Sequence, residues 1–134
     1  MGEIKVRLKR VKELIDSHEW QRAYDIVDRI LGEDSNNMMA RVMMGKTSME
    51  LDRPEKAIEC FRFAVKHQPD SLPGWQGIVA YFNKYHPNGG ANDELLEAYR
   101  RILESLGNDE KLKAKIIETL RGYAQQLILK GGLN

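Results

Sequence analysis

The stretch MMARVMMGKTSMELDRPEKAIECFRFAVKHQPD, from Met38 to Asp70, decides the fold of this chain. In its first half Gly45 and Ser48 place small side chains on one face of a predicted helix, where a second helix can approach closely. Asp52-Arg53-Pro54-Glu55 then marks a turn. Pro54 is tolerated in the first turn of the next helix, since its missing N–H has no partner there, and Asp52 is placed to cap that helix. The stretch therefore predicts two antiparallel helices.

Both helices of this predicted hairpin have recognisable limits. The first starts at a polar residue, either Asn36 or Asn37, and the second is closed by Gln68-Pro69-Asp70. The second helix carries one apolar stripe against a charged face. The stripe comprises Ala57, Cys60, Phe61, Ala64 and Val65. Cys60 is the only cysteine, and we expect it to be an inert core residue.

The same pattern recurs along the chain with a period of 34 residues. This step carries Val11 to Gly45 and then to Val79, and it carries Ala23 to Ala57. A helix-turn-helix unit of this length buries its apolar faces only by stacking on neighbouring units. The period therefore predicts a helical repeat protein.

These residues resemble the signature of the tetratricopeptide repeat (TPR) family. Gly45 stands at its small helix-crossing position, Ala57, Phe61 and Ala64 at its second-helix core positions, and Pro69 at its terminating proline. The third unit, Trp75-Gln76-Gly77-Ile78-Val79, is similar to the family's W-x-x-L-G start, with Val79 replacing the small residue. The resemblance implies an all-α, TPR-type α-solenoid of three helix-turn-helix repeats plus a seventh helix.

The chain is predicted to be a single TPR domain over residues 1–134, with repeats at about 4–35, 36–71 and 72–107 and an additional helix at about 109–130. Tyr85–Asn92 is an extended loop in the third repeat, with an insertion of about four residues that brings Leu95, Tyr99 and Ile102 onto core positions. The seventh helix is either a cap or the first helix of a fourth repeat, and the apolar Ile117 and Ile128 favour the second option. We therefore expect one end of a longer solenoid. The predicted core positions of this helix are Leu112, Ile116, Leu120, Tyr123 or Ala124, and Leu127.

Composition excludes several classes of function. The 134 residues include 21 Lys and Arg and 20 Asp and Glu, so the net charge of +1 gives no global attraction to nucleic acid or anionic membranes. No run approaches about 18 apolar residues, as a membrane span would need. Charges interrupt the apolar positions of the N-terminal stretch, as no secretory signal would allow, so we expect a cytoplasmic protein.

No residues converge for catalysis or cofactor binding. His18, His67 and His86 lie near three separate predicted helix ends, so they are expected to be exposed turn residues, with no metal site. Gly89-Gly90 has no following Gly-Lys-Ser/Thr, which argues against a phosphate-binding loop. We expect no enzyme activity, no cofactor and no small-molecule substrate.

A TPR solenoid instead offers a concave surface lined by the first helix of each repeat, and the register predicts an apolar groove with basic spots. The Met-rich part can adapt to a partner's apolar side chains, and Lys12, Lys46 and Lys84 can meet acidic flanks. Alternatively, Met39 and Met43 fill gaps between helices. The predicted partner-binding residues are Leu8, Lys12, Ile15, Met39, Val42, Met43, Lys46, Met49, Gln76, Ala80, Asn83 and Lys84.

Two narrower binding modes each require particular residue types. TPR co-chaperones hold a C-terminal carboxylate with five polar residues, and the equivalent positions here are Leu8, Lys12, Met43, Pro73 and Gly77. Only Lys12 is polar, so a buried carboxylate would lack donors and this mode is disfavoured. Lys5, Arg7, Lys9 and Arg10 could contact RNA phosphates, but no aromatic residue is interleaved to stack a base, so direct nucleic-acid binding is not expected.

A further resemblance covers most of the chain. Trp75-Gln76-Gly77-Ile78, the extended loop and Glu97–Leu103 are similar to the N-terminal TPRs of the superkiller complex scaffold subunit. That resemblance implies a non-catalytic scaffold that holds a DExH RNA helicase and WD40 subunits in cytoplasmic, exosome-linked 3′-to-5′ mRNA decay. The alternatives are a generic TPR adaptor for an amphipathic or extended peptide, and an RNA contact through the basic first helix.

Overall fold

A computed structural model describes residues 2–88 and 92–105 and, nearer the C-terminus, residues 109–111, 113–115, 117, 118 and 121. Within these residues every regular element is α-helical. The six helices are α1 (Gly2–Asp16), α2 (Trp20–Glu33), α3 (Met38–Glu50), α4 (Pro54–His67), α5 (Leu72–Tyr85) and α6 (Asp93–Ser105).

The predicted all-α repeat fold is confirmed. Helical residues recur at 110, 111, 113–115, 117, 118 and 121, where the seventh helix is predicted. The core positions predicted for that helix, together with Ile128, lie outside the described residues, as do Gly89 and Gly90. Ile117 is described and exposed.

The six helices form an inner and an outer row. Each helix packs on the next, and α1 also contacts α3, as α3 contacts α5. Among the described residues, α2 and α4 have no Cα pair within 8 Å, and neither have α4 and α6. The first helices of the hairpins are therefore closer together than the second helices, so α1, α3 and α5 form the inner row.

The core residues predicted from the repeat register are buried. Ala57, Phe61 and Ala64 of α4 are inaccessible to solvent or nearly so, and Leu95, Tyr99 and Ile102 of α6 are buried as well. The extended loop therefore restores the register of α6, as predicted. Cys60 is buried too, and desolvation raises the pKa of its thiol to about 11, so it is an unreactive core residue as predicted.

The start of α3 confirms one of two predicted residues. Asn37 is the N-cap, and its Oδ1 accepts a hydrogen bond from the backbone N–H of Ala40 at 3.0 Å. This bond satisfies one of the free N–H groups at the first turn of the helix.

The prediction that Asp52 caps α4 is wrong. Arg53 is the N-cap, and no side chain caps it. Asp52 instead ends the preceding helix in the left-handed conformation, with φ of 58°. Reversing the chain directly after α3 needs such a residue, and aspartate tolerates this conformation better than most residues.

The first repeat makes the same turn one period earlier. His18 has φ of 59°, and the N–H of Glu19 donates to the carbonyl of Leu14 at 2.8 Å. In the second repeat the N–H of Arg53 donates to the carbonyl of Ser48, also at 2.8 Å. This bond, from three residues beyond the last helical residue back to the last turn of the helix, is typical of a Schellman motif.

Arg41 and Trp75 occupy the same position in successive repeats and make the same hydrogen bond. Arg41 Nη2 donates to the carbonyl of Ser35 at 2.8 Å, and Trp75 Nε1 donates to the carbonyl of Pro69 at 2.7 Å. Both acceptors lie six residues earlier, in the loop before the helix. An arginine therefore replaces the tryptophan of the family signature without loss of this bond.

Candidate protein-binding groove

The inner row of helices borders a groove of about 360 Å³. It brings together residues that the register predicted to line the concave surface, namely Ile15 from α1, Lys46 and Met49 from α3, and Gln76 and Ala80 from α5. The other lining residues are Trp20, Glu50, Phe61, Pro73 and Gly77. Three repeats therefore contribute to one surface.

Apolar side chains form much of the groove. Phe61 reaches it from α4 although its side chain is 1% exposed. Trp20 contributes from the start of α2, where its ring stacks on His18 with centroids 5.2 Å apart. Ile15 and Met49 complete this part of the lining. Such a surface suits an apolar side chain from a partner, because burying it removes area from water.

Lys46 supplies a cation beside the apolar lining. Its side chain is exposed and makes no hydrogen bond or ion pair with the described residues, and Lys12 is in the same situation on α1. Glu50 lies on the groove as well and is a possible partner for a basic group. The groove thus combines an apolar lining with charges that a ligand can pair.

Lys84, a predicted groove residue, makes a contact within the chain. Its Nζ donates to the carbonyl of Met49 at 2.5 Å, close to the C-terminus of α3. The neighbouring Tyr85 hydroxyl donates to Asp52 Oδ1 at 3.0 Å. Desolvation, followed by this hydrogen bond, raises the pKa of Tyr85 to about 12. The end of α5 is therefore tied to the end of α3, and the Lys84 ammonium is engaged within the chain.

The remaining predicted groove residues differ in how much of their surface is exposed. Leu8 and Val42 are buried in the two halves of the core and offer little surface. Met43 is half-buried against the first half of the core, whereas Met39 is 60% exposed. Of the two methionines that could fill gaps between helices, only Met43 is in such a place. Asn83 is exposed on α5.

Two vertebrate proteins are similar to most of this chain. Human Superkiller complex protein 3 is 31% identical over 112 residues, which are 83% of this chain and 7% of that protein. Tetratricopeptide repeat protein 37 of Xenopus laevis is 29% identical over 111 residues, again 83% of this chain and 7% of the relative. The chain therefore spans about 7% of the length of these two relatives. No protein-family model matches the chain.

Solved structures share the fold. PcrH in complex with the chaperone-binding region of PopD superposes with a TM-score of 0.77 at 12% identity, over 93% of each chain. The first TPR of Spaghetti bound to an HSP90 peptide superposes with a TM-score of 0.72 at 17% identity, over 92% of this chain and 91% of that chain. The chain belongs to the tetratricopeptide repeat family. Repeat solenoids of this kind present an extended concave surface.

The TPR groove includes residues that the sequence analysis assigned elsewhere. Phe61 was expected only in the core, and Trp20, Glu50, Pro73 and Gly77 were not among the predicted partner-binding residues. The sequence signal that could have placed Phe61 beside the groove is Gly77, because a glycine inside a helix leaves room for a side chain of the neighbouring helix. The ring of Phe61 packs against the backbone of Gly77 at this point, on the border of the groove, and is almost completely buried.

The five positions that hold a carboxylate in TPR co-chaperones are dispersed here. Leu8 is buried and Met43 is packed against the core, while Pro73 and Gly77 line the apolar groove. Lys12 is the only one of the five with a polar side chain. A carboxylate bound at these positions would find one polar side chain, so the carboxylate-binding mode stays disfavoured.

The basic residues of the first TPR helix are partly engaged in ion pairs. Arg7 Nη2 lies 2.8 Å from Glu33 Oε2, and Arg10 Nη1 lies 3.6 Å from Glu13 Oε2. Lys5 and Lys9 are exposed. An RNA phosphate at Arg7 or Arg10 would therefore have to compete with a carboxylate of the chain itself.

The three histidines are far apart along the chain. His18, His67 and His86 are exposed at three separate helix ends, as predicted. In the part of the chain that the structure describes, no three His, Cys, Asp or Glu side chains are grouped so that they could hold a metal ion. In the same residues, no helix combines the length and apolar character needed to cross a membrane.

Proposed function

We propose that the inner groove of this TPR chain binds an apolar anchor side chain within an extended or amphipathic segment of a protein partner, with an acidic flank paired to Lys46. The observation that carries this proposal is the placement of Lys46 beside Ile15, Met49 and Phe61 on one surface. The anchor gains from burial, and the acidic flank gives register and specificity. Two solved neighbours, PcrH and the first TPR of Spaghetti, have peptide or protein segments bound.

The finer assignment is to the superkiller complex. The 31% identity to human Superkiller complex protein 3 supports a scaffold segment of this kind. By that resemblance the partners are a DExH RNA helicase and WD40 subunits, the site of action is the cytoplasm, and the process is exosome-linked 3′-to-5′ mRNA decay. On this assignment the chain is a non-catalytic scaffold that positions other subunits.

The test is a binding measurement with two matched charge reversals. Lys46→Glu reverses an exposed charge in the groove, and Arg29→Glu reverses an exposed charge on α2, outside the groove. Helicase and WD40 subunits purified from the same source are titrated against each variant by calorimetry. We expect Lys46→Glu to weaken binding by about tenfold or more, since a like charge replaces a complementary one, and Arg29→Glu to leave it unchanged.

The outcomes distinguish the proposal that the groove is the binding site from the proposal that the partners are superkiller subunits. Binding that both variants retain equally would exclude the groove as the site. If neither subunit binds, a library of extended peptides is tested against the wild type and Lys46→Glu. A peptide lost only with Lys46→Glu would support the generic TPR adaptor and exclude the superkiller assignment.

A further inference from the structure

The outer side of the solenoid has a second, larger depression of about 620 Å³ beside α4. Ile58, Phe63 and Tyr81 supply its apolar surface, and charged residues of α4 supply the rest. The charged lining residues are Glu55, Glu59, Arg62 and Lys66. None of these four belongs to the inner groove, so this surface has no part in the function proposed above.

The four charges form a single stripe along α4. Their spacings of four, three and four residues place them on one face of the helix, and all four are exposed. Both carboxylates come first and both cations follow. The stripe is about 16 Å long, given a rise of about 1.5 Å per residue.

The order of charges is self-complementary. Glu55 and Lys66 are equally far from the point between Cys60 and Phe61, and so are Glu59 and Arg62. A two-fold axis through that point would lay a second α4 antiparallel to the first. Each carboxylate would then face a cation of the other copy, as a symmetric interface requires, since the same patch must complement itself.

The outer pair is available for such contacts. Glu55 and Lys66 make no hydrogen bond or ion pair with the described residues. The inner pair is engaged within the chain. Glu59 Oε1 lies 3.6 Å from Lys56 Nζ, and Arg62 donates two hydrogen bonds of 2.8 Å to Glu94. The bridge to Glu94 connects α4 to α6 at the depression, and its hydrogen bonds raise the pKa of Arg62.

We propose that the outer face of α4 binds a second copy of this chain, with the two α4 helices antiparallel. The Glu55–Lys66 pairs form at both ends of the contact, and the half-buried Phe63 and Tyr81 provide most of the apolar surface covered between them. The stripe favours this register, because a shift by four residues would keep only two of the four acid–base pairs, and a shift by seven residues would place like charges opposite each other.

The test uses two variants that are each defective but complement each other. Glu55→Lys places two lysines opposite each other at both ends of the contact, and Lys66→Glu places two glutamates there. In a mixed dimer every pair is again one acid and one base. Sedimentation equilibrium from about 10 μM to about 1 mM, the range of weak interfaces, measures the association.

We expect the wild type to dimerise, each variant to associate at least about tenfold more weakly, and the equimolar mixture to regain the wild-type affinity. Asp28→Lys is the matched control, because Asp28 is exposed on α2 one repeat before Arg62, and it should associate as the wild type does. Circular dichroism checks the fold of each variant.

Two results would overturn the proposal. A wild type that stays monomeric throughout this range would show that the charge order only complements the dipole of α4. A dimer whose affinity is the same for the mixture as for each variant alone would show that the contact lies elsewhere.

Discussion

A β-carbon placed on Gly77 would lie 2.2 Å from Cδ1 of Phe61, so the phenylalanine ring packs directly on the backbone of α5. Gly45 of α3 meets the same ring, with a corresponding distance of 2.6 Å to Cε1. One aromatic ring of α4 therefore sets the closest approach of both neighbouring inner helices.

Gly77→Ala should destabilise the fold by about 1–3 kcal/mol, because the added methyl group overpacks a closely packed contact. Gly45→Ala should cost less, because its added carbon would be farther from the ring. The free energy of unfolding, measured in urea by circular dichroism, tests both expectations.

Gly32→Ala is the matched control for these two variants. A β-carbon at Gly32, near the end of α2, would meet nothing within 4 Å. Alanine should therefore stabilise the chain by about 0.5–1 kcal/mol through its better helix propensity. Equal effects at Gly32 and Gly77 would contradict the packing that we describe.

His18→Gly should stabilise the chain by up to about 1 kcal/mol, since glycine adopts a positive φ without strain. Asp52→Gly should gain less, because it also removes the acceptor of the Tyr85 hydroxyl. Thermal unfolding of the two variants side by side measures the difference. A larger gain at Asp52 would mean that its hydrogen bond with Tyr85 contributes less than the ring stack on Trp20 that His18→Gly removes.

Lys84→Met should lower the free energy of unfolding by about 1 kcal/mol, because it removes a charged donor from the carbonyl of Met49. Lys46→Met, the matched control in the groove, should change stability by less than about 0.5 kcal/mol. Chemical denaturation distinguishes the two. Similar losses for both lysines would mean that Lys84 is not a structural contact.

Glu97 should show an acid-dependent contribution to stability. Hydrogen bonds from Arg100 and then Arg101 lower the pKa of its carboxyl from 4.5 to about 2. The unfolded chain therefore binds more protons than the folded chain between these values, and stability is lost as the pH falls through this window. Carbon NMR titration should give a low pKa for Glu97 at low salt and a value nearer 4.5 at high salt or in Arg100→Gln. An unchanged pKa in Arg100→Gln would contradict this account.

The helical repeat could be predicted from the sequence because the residues at the core positions of the repeat register are the ones that the fold buries. Ala57, Phe61 and Ala64 are buried where the register placed them, and Ile15, Lys46 and Gln76 line one groove from three repeats. These positions follow from the helical period alone, and a local change at a turn or a helix end does not alter that period.

What the sequence analysis missed depends on contacts between turns and helix ends. Aspartate is a common helix cap, so the residue type of Asp52 suggests a cap. Its left-handed backbone conformation instead follows from the chain reversal after α3. Lys84 has the register of a groove residue, yet a carbonyl at the end of α3 lies within reach of its ammonium. The left-handed turn recurs one period apart at His18 and Asp52 but with different residue types, and the Lys84 contact has no periodic signature.

The shared hydrogen bond of Arg41 and Trp75 has a consequence for how such repeats are detected. What this position requires is an N–H that reaches back six residues to a loop carbonyl, and either an indole or a guanidinium can supply it. A profile that scores aromatic rings alone will pass over repeats that meet the requirement with arginine. Distant members of the superfamily should therefore be searched for by donor chemistry as well as by side-chain shape.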